Sequence, residues 1–293
     1  MFKFFQRLIC LLYVLFAIGF TASSVAKPIQ VIAAENFYGA VAKQIGGDFV
    51  QVTTILNQPD QDPHLFSLTP HIAKLLERGD LIVYNGLGYD SWIKNLLSVQ
   101  KDSKRTFICV ADLMHKKEGA NPHIWYDPHT MPVYAQALTH FLVKRDSPHR
   151  QEYHAHYHAF MMQQKKLSHV IARIKRQHAG ISVIATEPLF GYMAQALGFR
   201  MEGIAFQQSM MNGVEPSPKQ VQDFQRQLQQ HRVKLVFFNR QVSSPLIMYL
   251  LNQARSMGIP IIGITETQPM ATTYYQWMND QLKRVESALN ERY

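Results

Sequence analysis

The sequence predicts an α/β protein of two parallel-sheet lobes joined by one long, rigid helix. Three observations carry that prediction. Short β-branched runs alternate with helical patterns, as in strand–helix–strand units with a parallel sheet. The alternation occurs twice along the chain. Between the two occurrences lies an uninterrupted segment of helical period from Pro148 to Gly180. The composition agrees: 293 residues, 47% hydrophobic and 17% charged, make one or two globular domains and exclude a disordered, collagenous or coiled-coil chain.

In the first half, Ile29–Ala33 reads as a strand. A helix through Phe37, Val41 and Ile45 follows and is closed by Gly46-Gly47. Phe49–Leu56 is a second strand leading into the polar loop Asn57–His64, after which Thr69-Pro70 supplies an N-cap and first-turn pair for a helix to Arg78. Leu81–Tyr84, a helix near Ser91–Leu97 and the strand Thr106–Val110 complete the half. In the second half come a strand Ile181–Ala185, helices Phe190–Leu197 and Lys219–Gln230, and a strand Val233–Phe238. A helix Leu246–Met257, a strand Ile261–Ile264 and a last helix Tyr274–Asn290 follow. In the connecting segment Tyr153, Tyr157, Phe160, Leu167, Ile171 and Ile174 recur mostly three or four apart. A helix of about 30 residues is roughly 45 Å long, which suits a spine between lobes better than a crossover within one. The expected organisation is a leader 1–26, an N-terminal lobe 27–147, a linking helix 148–179 and a C-terminal lobe 180–293.

The leader reads as a secretory signal. Lys3 and Arg7 precede an apolar run from Leu8 to Phe20, and Ser24-Val25-Ala26 is a small-x-small cleavage site. The run is too short to span a bilayer, and no later stretch is long and apolar enough. Export to the periplasm with cleavage after Ala26 is expected. Removal of Cys10 would leave Cys109 alone, which excludes an internal disulfide. The formal charge of +9 becomes +7 without Lys3 and Arg7 (9 − 2), but the basic residues are scattered, so neither a nucleic-acid partner nor a stable membrane span is expected. A monomer is expected.

In parallel α/β sheets, ligands bind beyond the carboxyl ends of the strands. At those ends stand Asp60-Gln-Asp-Pro-His64, Asn121-Pro-His-Ile-Trp-Tyr-Asp-Pro128, Thr186-Glu-Pro-Leu-Phe-Gly-Tyr192 and Thr265-Glu-Thr-Gln-Pro269. Four candidate ligands result, two from each half: His64, His123, Glu187 and Glu266. Two neutral imidazoles and two carboxylates neutralise one dication. The absence of a thiolate argues against copper(I), and imidazole disfavours calcium and magnesium. Zinc, manganese and ferrous iron remain. Asp127 and Asn239 are candidates for orienting the ligands, and Trp125 either lines the site or is plain core.

The ordered set Ala34-Glu-Asn-Phe-Tyr-Gly39, Asp62-Pro-His-Leu-Phe-Ser-Leu-Thr-Pro70, Val83-Tyr-Asn-Gly-Leu-Gly88 with Trp92, Pro122-His-Ile-Trp-Tyr-Asp-Pro128 and Glu215-Pro-Ser-Pro218 resembles the periplasmic zinc/manganese-binding receptors of ABC importers, the ZnuA/TroA-like cluster. The resemblance implies one Zn2+ or Mn2+ ion held between two lobes. It also implies delivery to a membrane permease driven by a cytoplasmic ATPase. His64 and His123 match the first two histidine ligands of that family. Glu187 stands where zinc receptors usually place a third histidine and many manganese receptors a glutamate, and Glu266 stands where the family usually has aspartate. His115-Lys116-Lys117-Glu118 replaces the long His- and acid-rich loop of many zinc receptors.

Other features read as structural. His154 and His158 share a helix face at i,i+4 and could chelate a metal, but a solvated face explains them, as it does Lys165-Lys166 and Arg173–Arg176. Met161-Met162 and Met210-Met211 read as core filling. Two further functions compete with a receptor. A metal-containing adhesion or structural protein should unfold when stripped of metal. A zinc hydrolase needs an open water position and a base, which four converging ligands leave little room for. No catalytic residues are assigned.

Overall fold

The computed structural model describes residues 27–58, 66, 69–93 and 105–291. The leader 1–26, the loop with His64 and the 94–97 end of the expected Ser91–Leu97 helix lie outside the described residues. Strands β1 (Ile29–Glu35), β2 (Val50–Leu56), β3 (Leu81–Tyr84) and β4 (Thr106–Cys109) form one sheet in the order β2-β1-β3-β4. Strands β5 (Ser182–Ala185), β6 (Arg200–Glu202), β7 (Val236–Asn239) and β8 (Ile261–Ile264) form a second in the order β6-β5-β7-β8. Every pairing is parallel. The two sheets therefore share one winding, and in each the strand order reverses between the first and third strands (β1/β3 and β5/β7).

The helices are α1 (Asn36–Gly46), α2 (Pro70–Glu77), α3 (Val110–Leu113), α4 (Thr130–Arg145), α5 (Arg150–His178), α6 (Gly191–Ala196), α7 (Ile204–Met211), α8 (Pro218–Gln229), α9 (Pro245–Ser256) and α10 (Tyr274–Asn290). Local chemistry sets their ends. Thr69 accepts from the Ile72 amide at the start of α2, with Pro70 next to it. Ser217 and Thr273 open α8 and α10 with complete capping boxes. Gly47 takes φ +57° to end α1, a conformation that costs glycine nothing.

Helix α5 is 29 residues long, or about 44 Å. It buries Tyr153, Phe160, Gln164, Leu167, Ile171 and Ile174, so Gln164 fills the gap in the apolar period. His154, His158 and Met162 point to solvent. At its start Asp146 receives the Tyr153 hydroxyl and pairs with the His149 ring, both at 2.7 Å, and the His149 ring stacks on Phe49 at 3.9 Å.

One apolar core runs through both lobes. It joins α1, α4 and the inner face of the first sheet to α5, α10 and the inner face of the second. Two smaller clusters cover the outer faces. Where the lobes meet the core is aromatic: Phe37 stacks on Trp125 at 4.7 Å and on Trp277 at 5.9 Å, and Tyr126 meets Trp277 at 5.6 Å and Phe190 at 5.3 Å. The one-turn α3 went unread in the sequence, as did α4, β6 and α7. Helix α4 follows Pro128 and contains Pro132, yet a proline in the first turn leaves a helix intact, and Met131, Tyr134, Ala135, Leu138 and Leu142 do carry the helical period. Strand β6 has three residues, and α7 follows it after a single left-handed glycine.

Candidate metal centre

His123 follows Pro122 and opens a single 3-10 turn, Ile124–Tyr126, beyond the end of β4. It is buried at 2% exposure, against Trp125 at 5.2 Å and Tyr89 at 6.2 Å between ring centroids. Asn121 Oδ1 lies 2.7 Å from His123 Nδ1 and 3.1 Å from its backbone nitrogen. A carbonyl oxygen only accepts, so Nδ1 is the donor to Asn121 and Nε2 is the ring nitrogen turned toward the acids. Nε2 stands 3.6 Å from Glu266 Oε1.

Glu187 leaves the end of β5 at the head of the turn Pro188–Phe190, and Glu266 follows β8 by two residues. Both are buried. The Asn239 carboxamide, at the last position of β7, donates to Glu187 Oε2 at 2.9 Å and to Glu266 Oε2 at 3.1 Å. The Gln241 amide donates to Asn239 Oδ1 at 3.0 Å, which fixes the carboxamide's orientation. Gln241 Oε1 in turn accepts from the backbone amides of Glu266 and Thr267, so the strip after β8 is held rigidly. Two buried carboxylates are thus linked through one carboxamide, and Glu266 also faces the His123 ring nitrogen.

The separation suits a shared cation. Two donors each ~2.1 Å from one tetrahedral metal stand ~3.4 Å apart, close to the 3.6 Å from His123 Nε2 to Glu266 Oε1. Among the described residues no three His, Cys, Asp or Glu side chains close into a complete metal cage. His123, Glu266 and Glu187 are gathered through one direct approach and one bridging amide. His64 lies outside the described residues.

The orienting groups differ in part from expectation. Asn239 holds the two glutamates, not an imidazole. Asp127 is engaged elsewhere: it accepts from the His129 amide at 3.1 Å and pairs with Lys116 at 3.5 Å, so it serves the entry to α4. Asn121 orients His123 instead, and its carboxamide also donates to Pro188 O at 2.7 Å, beside Glu187. Its own carbonyl accepts from the Tyr192 hydroxyl at 2.9 Å. The signal for Asn121 was an amide side chain directly before Pro-His, where it can fold back on the ring. Trp125 is fully buried and forms the apolar wall behind the imidazole.

A second acidic pair was missed. Glu35, the last residue of β1, is buried, and its carboxyl group faces that of Asp90. Burial first, and then the nearby Asp90 charge, push its pKa well above the usual carboxyl value. Asp90 accepts from the backbone amides of Asn85 and Gly86, so it takes the charge while Glu35 keeps the proton. Gly86 has φ +84°, and a Cβ there would meet Cys109 Sγ at 2.7 Å. Asn85, fully buried, receives the Tyr38 hydroxyl at 2.7 Å and donates to Pro122 O at 2.9 Å, tying this turn to the backbone before His123. Tyr89, in the same turn, stays protonated because burial and then the charges of Glu266 and Glu35 raise its pKa.

A model of the family described as zinc-uptake complex component A, periplasmic (ZnuA), matches residues 31–288. The chain belongs to this family. Of its relatives, the manganese ABC transporter substrate-binding lipoprotein PsaA of Streptococcus pneumoniae is 23% identical over 297 residues, covering 93% of each chain. The iron-binding protein YfeA of Yersinia pestis is 23% identical over 231 residues, covering 75% of this chain and 72% of its own. The periplasmic zinc-binding protein TroA of Treponema pallidum has a TM-score of 0.76 to this ZnuA-family chain at 21% identity, covering 90% of this chain and 99% of its own, so the fold is common to both. The three names carry three different metals, which leaves the cargo of this ZnuA-family member to its own donor set.

Proposed function

We propose that this chain is the extracytoplasmic receptor of an ABC importer for a divalent transition metal, captured between the lobes and handed to the membrane permease. The observation that carries the proposal is the approach of His123 Nε2 to Glu266 Oε1 at 3.6 Å, with the Nδ1 proton committed to Asn121. An imidazole nitrogen and a carboxylate oxygen at that separation are placed to hold one cation between them.

His123, Glu187 and Glu266 supply one nitrogen donor and two acidic side chains, and His64 supplies the fourth ligand. The oxygen share favours manganese or ferrous iron more than a three-histidine set would, while the affinity order for divalent metals favours zinc at nearly any such site. We assign the cargo as Zn2+ or Mn2+. The proposed mature chain starts after Ala26, functions as a monomer and places lobes 27–147 and 180–293 on either side of the linking helix. Among the described residues no helix is long and apolar enough to cross a membrane. The family comprises substrate-binding receptors, and the chain is assigned that role.

Calorimetric titration of the metal-free mature chain with Zn2+ and Mn2+ tests the proposal. One ion should bind per chain, and His123→Ala should weaken binding by roughly a hundredfold or more, beyond the 10–100-fold typical of a lost outer-shell group. The circular dichroism spectrum should not change. Unaltered affinity in His123→Ala would remove this residue from the site and reject the assignment.

A further inference from the structure

The lobes touch along two lines of different character. The inner line is buried and extensive. Along it the Tyr126 hydroxyl donates to Thr265 O at 2.6 Å, the Tyr274 hydroxyl donates to Trp125 O at 2.8 Å, and both sit within the aromatic seam. The outer line lies at the mouth, where the Asn36 carboxamide grips the backbone of one residue of the opposite lobe at two points. Asn36 Nδ2 donates to Gln268 O at 2.8 Å, and the Gln268 amide donates to Asn36 Oδ1 at 3.1 Å. Residues 232 positions apart in the chain are joined there as two strands would be.

The grip acts on the strip that carries Glu266. The Glu266 and Thr267 amides are pinned to Gln241 Oε1, so residues 266–268 move together. One end of that strip faces His123 and the other is held by Asn36, the first residue of α1. Asn57 and Gln58 stand beside Asn36, Gln268 and Met270 around a small cavity of about 250 Å3, so the contact sits next to the loop that leads to His64. Parting the lobes at the mouth must break both of these hydrogen bonds, whereas the inner line can serve as the pivot.

We infer that Asn36 is the clasp that sets how long the cargo metal stays, a positioning residue that touches no metal and acts through Gln268 on the Glu266 strip. The inference rests on the receptor reading above and adds the residue that governs release. Loss of two partly shielded hydrogen bonds should raise the dissociation rate roughly tenfold. Association should change little, and the ratio of zinc to manganese affinity should not change because no ligand is altered.

The test is release of Zn2+ from the loaded mature chain into excess chelating dye, followed by stopped flow, for wild type, Asn36→Ala and Asn36→Asp. Asn36→Asp separates a clasp from general destabilisation. A carboxylate in the first turn of α1 favours the helix dipole, yet it cannot donate to Gln268 O. Expected is release about tenfold faster in Asn36→Ala and faster by a smaller factor in Asn36→Asp, which still accepts from the Gln268 amide, with the melting temperature of metal-free Asn36→Asp equal to or above wild type. Wild-type release rates in both variants, in a protein that does bind Zn2+, would overturn the clasp and leave the receptor standing. A wild-type chain that takes up no Zn2+ or Mn2+ would overturn both.

Discussion

The two lobes wind their sheets in the same order and then treat the reversal point differently. In the first lobe the crevice between β1 and β3 holds Glu35 and Asp90. In the second, the crevice between β5 and β7 holds Glu187 and Asn239, with Glu266 arriving from β8. Each crevice therefore contains a pair of buried acids, which cannot both be charged without help. The first pair is closed: two backbone amides take the Asp90 charge, and Glu35 keeps a proton. The second pair is spread: a single carboxamide reaches one oxygen of each acid and leaves the cluster facing an imidazole nitrogen. The same topology yields a proton-holding pair where the acids face each other. It yields a spread pair, the one proposed to take the metal, where a carboxamide holds the acids apart beside an imidazole.

Substitutions can break or sharpen that contrast. Among substitutions that leave His123 in place, the largest effect should come from the spacer. Asn239→Ala removes the one group seen to hold both glutamates, and metal affinity by calorimetry should fall roughly 10–100-fold. An unchanged affinity would mean that the spread pair is not where the cation sits. A smaller effect is expected from Glu187→His, which replaces a hard donor with imidazole. The ratio of zinc to manganese affinity should rise by about tenfold, and a ratio that stays put would refute the role given to donor hardness.

The smallest effect on metal, and the most distinctive on stability, should follow Glu35→Gln. The raised carboxyl binds its proton in the native state at pH values where the unfolded chain, with a carboxyl near ~4.3, has lost it. Native stability therefore declines as pH climbs from about that value to the elevated folded one, and the loss is complete above it. Glutamine offers Asp90 an N–H donor at every pH. Urea denaturation at pH 5 and pH 8 should show a flatter decline in Glu35→Gln than in wild type, with metal affinity within about twofold. An identical slope in both proteins would show that Glu35 does not hold the proton.

Much of this arrangement was legible in the sequence because it depends on local chemistry. Thr69-Pro70 announced α2, Gly46-Gly47 ended α1, and the Leu81–Tyr84 and Ile261–Ile264 runs could only be strands. His123, Glu187 and Glu266 came from asking what stands beyond strand ends; His123 approaches Glu266, and Asn239 links Glu266 to Glu187. What escaped was set by long-range contact. Asn121 orients His123 only because the chain folds back one residue after a proline. Glu35 was given no role of its own in the sequence, and its burial against Asp90 depends on β1 lying beside β3. Asp127 was favoured for lying near His123 in the chain, but Lys116 and the His129 amide were closer partners in space. The three-residue β6 offered too little pattern to read.

The continuous apolar core has a consequence for how this molecule can be taken apart. Tyr274, Trp277, Met278, Leu282 and Val285 of α10 belong to the same cluster as Phe37, Val41 and Trp125. A cut through the middle of the long helix would give each fragment a raw, greasy wall where its other half had been. The molecule is thus two lobes in outline and one cooperative body in energy, and it should melt in a single step.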